Sequence, residues 1–157
     1  MLAMFQLAMF LHILGAIVAF GFGFYAPIFG AASAKEPQHA NWYLRTAKRL
    51  SNVIIIPFAL SMAVTGYLLV AETGGSDRFK EPWLTVAIVL YVIALAIVFL
   101  LQRPTLNKVI AMTDQPPGPE GPPPELAANV NKMKLYGVIL LVVTIAIVAL
   151  MVWKPGL

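Results

Sequence analysis

His12 is the residue in this chain whose type and surroundings most plainly offer chemistry. It stands in MFLHILGAIVAFGFGFY, residues 9–25, an apolar run that otherwise suits a lipid bilayer. Neutral imidazole is the commonest metal ligand, and a haem iron needs an axial ligand of this kind. Ionisable side chains within membrane segments are rare and mark function by default. Met62 is the best companion, because histidine and methionine form a known axial pair. His12 and Met62 are therefore the candidate cofactor-binding residues, with haem b as the cofactor they would hold. The competing reading makes His12 polar glue between helices, hydrogen-bonded to Ser61, Tyr91 or Thr144. A third reading, copper handling, rests on the seven methionines and the Met9–His12 spacing.

The neighbours of His12 say which way it faces. Ala8, His12, Gly15, Ala19, Gly23 and Ala26 recur at intervals of three and four residues, which places them on one side of a helix. Every other member of that stripe is small, and small stripes let membrane helices approach closely. The stripe therefore predicts that His12 faces protein and not lipid. Its depth is about ten residues from the helix start, or roughly 15 Å at 1.5 Å per residue. The same depth on the other helices falls near Ser61–Met62, Tyr91 and Thr144.

Other chemistry is thin. Gln6 and His39 are too isolated to build a site, and His39 falls on the opposite side of the membrane from the His12 half. The sequence holds no Ser/His/Asp set, no phosphate-binding loop and no paired intramembrane carboxylates. Gly21 and Gly23 lie inside an apolar helix, not after a strand, so they form no dinucleotide loop. No catalytic residue and no dedicated metal site is assigned.

The elements that position these residues follow from composition. Of 157 residues, 60% are hydrophobic and 11% charged, about half the charged share of a soluble domain. No cysteine is present, which rules out disulfides and thiolate-held metals in this chain. Four apolar stretches, Leu2–Phe29, Val53–Ala71, Trp83–Leu101 and Leu135–Trp153, each approach or exceed the roughly 20 residues that cross a hydrocarbon core. None alternates as a barrel strand would. The reading is an all-α integral membrane bundle of four transmembrane helices in a single domain, residues 1–157. The first stretch reads as a membrane helix and not as a secretory leader, since no basic residue precedes it and it far exceeds a signal core.

Loops set the expected orientation. The first carries Lys35, Arg45, Lys48 and Arg49, and the third carries Arg103, Lys108, Lys132 and Lys134, whereas the second balances Arg78 and Lys80 against three acids. Basic loops favour the cytoplasm, which puts both termini outside, with Lys154 as a minor dissent. The third loop includes QPPGPEGPPP, residues 115–124, read as a stiff polyproline II spacer. Trp42 and Tyr43 read as an interfacial anchor, and Pro57 as a kink in the second span. The net charge of +4 is scattered and carries no nucleic-acid signature.

The segments LHILGAIVAFGFGFYAPIF, AKRLSNVIIIPFALSMAVTGYLLV, PWLTVAIVL and the closing VWKPGL together resemble a group of small bacterial four-helix membrane proteins. That group includes an uncharacterised integral-membrane family of about this length. More distantly, the chain is similar to membrane-embedded protoporphyrinogen oxidases and copper-resistance D-type domains. The resemblance implies a multi-pass protein of the bacterial inner membrane. In the oxidase branch it implies haem b at the His12 position, together with a lysine early in helix three, where this chain has Ala87. The leading expectation is a non-enzymatic or accessory membrane subunit whose partners are the bilayer and a membrane-protein complex or a second copy. A haem b redox protein centred on His12 is the alternative.

Overall fold

The computed structural model describes residues 2–114 and 123–155, and these form helices joined by short turns. Helix α1 spans Leu2–Lys35. A 3-10 turn at Pro37–His39 leads into α2, Ala40–Leu50, and a π-helical turn at Ser51–Ile55 carries it into α3, Ile56–Thr73. After a 3-10 turn at Gly75–Lys80 comes α4, Pro82–Ala96, then a second π turn at Ile97–Gln102 and α5, Arg103–Met112. Helix α6, Pro124–Trp153, closes the bundle. Four continuous helical runs, Leu2–Ser33, Pro37–Thr73, Pro82–Met112 and Pro124–Trp153, are long and apolar enough to cross a membrane.

The expected spans are all present, and three of them extend well past the apolar residues. Backbone hydrogen bonding does not stop where hydropathy does, so the basic stretches read as loops one and three are partly helix. Residues 115–122 of the proline-rich stretch lie outside the described residues. Pro123, with φ −56° and ψ 139°, is extended in the polyproline manner. Pro124 opens α6 at the first helical position, where a missing N–H leaves no bond unmade.

Both π turns sit just ahead of a proline, Pro57 and Pro104. Proline lacks an N–H and its ring crowds the carbonyl four residues back. The widened turn relieves that crowding. The Ile56 N–H reaches the Ser51 carbonyl, and the Arg103 N–H reaches Val98, each five residues back. Pro57 thus acts through a bulge in the turn before it.

Helix α1 packs along α3 and also touches α6, which in turn packs on α4 and α5. The core is thin. In no span is more than 11% of the apolar window buried, and Ile17, Val64, Val92 and Val142 all point outward. Water would not tolerate that surface, whereas lipid requires it.

One end of the bundle is tied by polar contacts between α2 and the end of α5. The Asn41 side-chain amide donates to the Ile110 carbonyl at 3.0 Å and lies within 3.0 Å of the Thr113 hydroxyl and the Asp114 carboxylate. Arg45 donates to Asn41 Oδ1 at 2.8 Å and pairs with Asp114. Hydrogen bonding from Arg45, and secondarily from Asn41, holds the Asp114 carboxyl below the usual carboxylate range. At the other end Arg78 grips Glu81 through two contacts of 3.0 and 3.2 Å, and Lys154 lies over the buried Trp83 ring at 5.6 Å.

Candidate functional site

His12 lies at the α1–α3 interface, as the small-residue stripe requires. Ala8 and Gly15 are buried, and the remaining members of the stripe are at least partly covered. The imidazole meets neither Ser61, Tyr91 nor Thr144. Its Nδ1 lies 2.9 Å from the Thr65 hydroxyl, one helical turn beyond Ser61. The depth count along α3 overshot by that turn. Thr65 itself is buried, and its hydroxyl donates back to the Ser61 carbonyl at 3.0 Å, the usual bond of a threonine inside a helix. With its one proton directed there, the hydroxyl is free to accept from the Nδ1–H tautomer of His12.

The ring fits because Gly66 follows Thr65. A Cβ at Gly66 would stand 3.3 Å from His12 Cε1 and 3.8 Å from Nδ1. Thr65 and Gly66 are the residues that sequence reasoning missed. The available signal was TG in SMAVTGYLL, a hydroxyl beside a small residue on a membrane helix. Polar-plus-small pairs of this kind build close helix contacts.

Met62 occupies the next layer. It is buried, and its Cγ would be only 3.0 Å from a Cβ at Gly15. His12 against Thr65 and Gly66, then Gly15 against Met62, are successive contacts along one α1–α3 interface. The arrangement does offer one feature of a ligand, an Nδ1 hydrogen bond that would orient the ring and fix its tautomer.

Of the other polar side chains expected at this depth, Tyr91 also joins helices. Tyr91 donates its hydroxyl to the Ala59 carbonyl at 2.9 Å, linking α4 to α3. Ser61 donates to Phe58 within its own helix at 2.8 Å. Thr144 is half-buried on α6. Ala87, at the position where the oxidase resemblance implies a lysine, is 1% exposed, which leaves no room for a longer side chain without reshaping α4 and its neighbours. His39 and Gln6 are both exposed, and His39 follows the far end of α1, which is roughly 35 Å from His12 by helical rise. Among the described residues, no three His, Cys, Asp or Glu side chains come together as a metal-binding group.

Four long apolar helices with a small-residue seam and polar cross-links define an all-α integral membrane protein. The chain belongs to the predicted integral membrane protein family DUF2269, whose family model matches residues 6–155. Comparison with curated proteins and with solved structures returned no match.

Proposed function

We propose that the protein is a non-catalytic membrane scaffold, an accessory subunit whose intramembrane polar groups hold its own helices and whose broad apolar flanks meet lipid and a partner. The observation that carries this reading is the His12–Thr65 hydrogen bond. The half-buried imidazole within the first apolar span is directed into a helix–helix seam, its Cε1 edge lying against Gly66. Tyr91 is used in the same way, on the Ala59 carbonyl. The partner would be another membrane protein or a second copy of this chain, reached through the outward-facing aliphatic side chains.

The experiment is a visible spectrum of the detergent-purified protein, with and without added haem b. A scaffold gives a colourless preparation that takes up no haem. His12→Gln, which keeps a hydrogen bond, then lowers stability by about 0.6 kcal/mol or less. A Soret band lost in folded His12→Ala would overturn the scaffold reading in favour of the haem b alternative. The fixed Nδ1 favours that alternative, which is also what the distant likeness to membrane-embedded oxidases implies. Met62→Ala would then alter the band if Met62 supplies the second axial ligand, and a band left in place would assign that ligand elsewhere.

We further place the protein in a bacterial inner membrane with both termini outside. The support is the surplus of Lys and Arg at the end of the bundle that carries α2, α5 and the start of α6. The chain has no native cysteine, so Gly75→Cys and Gly118→Cys variants can be labelled singly in intact cells. An impermeant maleimide is expected to reach position 75 and not 118. The reverse pattern would invert the topology.

A further inference from the structure

A cleft of about 260 Å³ opens between α2 and the end of α5, lined by Arg45, Lys48, Arg49, Asn52, Val53 and Ile110. Four of these, Arg45, Lys48, Arg49 and Asn52, fall at i, i+3, i+4 and i+7, so one helical face supplies all the polar lining. The wall is fixed, because Asn41 and the Arg45–Asp114 pair tie α2 to α5. Arg45 has its counter-charge in Asp114. Lys48 and Arg49 form no ion pair among the described residues.

We propose that this cleft binds the phosphate headgroup of an anionic glycerophospholipid. Lys48 and Arg49 take the phosphate oxygens, Asn52 takes the glycerol or headgroup hydroxyl, and Val53 and Ile110 receive the first acyl carbons. The occupant is identified by the order of the lining. Over about a turn and a half of α2 and the turn after it, the lining passes from two unpaired cations, through an amide, to exposed Val53, which buried Ile110 of α5 faces across the cleft. That sequence matches an amphiphile seated at the boundary of the hydrocarbon, and a free phosphate ion has no use for its apolar end. The position agrees, since α2 runs without interruption into a membrane span. Trp42, exposed on the same short helix and in edge contact with Tyr43 at 5.3 Å, marks the interfacial level. Two cations on a helix tied to α5, beside the apolar Val53 and Ile110, distinguish this site from the diffuse attraction that any basic loop exerts on an anionic leaflet.

The test is a lipid titration of the detergent-purified protein followed by native mass spectrometry, with phosphatidylglycerol and phosphatidylcholine as the probes. Wild-type protein is expected to retain phosphatidylglycerol preferentially, and Lys48→Gln/Arg49→Gln to weaken that retention by about tenfold or more. Lys48→Arg, which keeps the charge, restores it. Lys132→Gln/Lys134→Gln removes as much charge from exposed positions outside the cleft and should leave retention unchanged. Should the double cleft variant not assemble, either single glutamine variant reads the same comparison. Equal losses in the two double variants, or no preference for phosphatidylglycerol, would overturn the site. Displacement of the lipid by inorganic phosphate or glycerol phosphate at similar concentrations would overturn the lipid assignment and leave an anion site.

Discussion

Gly15→Leu is expected to lower the stability of the bundle in detergent by roughly 1–3 kcal/mol, and by more if the α1–α3 seam cannot reopen. Even a Cβ at position 15 would lie 3.0 Å from the buried Met62 side chain and 3.5 Å from the Phe58 carbonyl. A leucine extends beyond that point, so the two helices must separate. Separation also stretches the His12–Thr65 bond in the adjacent layer. Leu11→Ala is the control. Leu11 is 42% exposed and off the seam, so its loss should stay within about 0.5 kcal/mol. Thermal melts in one detergent compare the two. Equal tolerance would show that the seam is not where the helices meet.

Trp83→Ala should be comparably severe, at about 3 kcal/mol by analogy with large-to-small core changes. Trp83 is 7% exposed at the start of α4, and Lys154, the residue that ends α6, covers its ring. Removing the indole leaves a void between the two helix ends and frees the lysine. Lys154→Gln removes the cation alone and should cost no more than about 1 kcal/mol. If the two variants melt alike, the indole contributes through the cation and not through packing.

Lys154 also shows where sequence reasoning stops. Read from the chain, it was a stray positive charge that argued weakly against the topology. In space it rests on an aromatic face contributed by a residue 71 positions earlier, a contact that spacing cannot reveal. The four spans and the face of α1 were legible because both depend on local periodicity and length. Ala8 and Gly15 are buried as the stripe requires. The partner of His12 was missed by one turn because the count began at the edge of the apolar run, while the helix itself begins elsewhere. Helix α2 was hidden by its charges, although the i, i+3, i+4 spacing of Arg45, Lys48 and Arg49 is helical. The π turns were invisible. Their prolines could be read, but not how the backbone would make room for them.

The π turn at Ser51–Ile55 has a consequence for how the second span can change. An α-helix advances about 100° per residue, and a single π turn holds roughly one residue more than an α turn. It works as an angular gearbox in an unbroken shaft. Upstream, α2 aims its cations at α5; downstream, α3 aims Met62, Thr65 and Gly66 at α1. The two aims are set independently, although the backbone between them never leaves the helix. Loss of one residue from this turn would make the helix regular and swing the cations about a quarter-turn away from α5, with the α1 seam untouched.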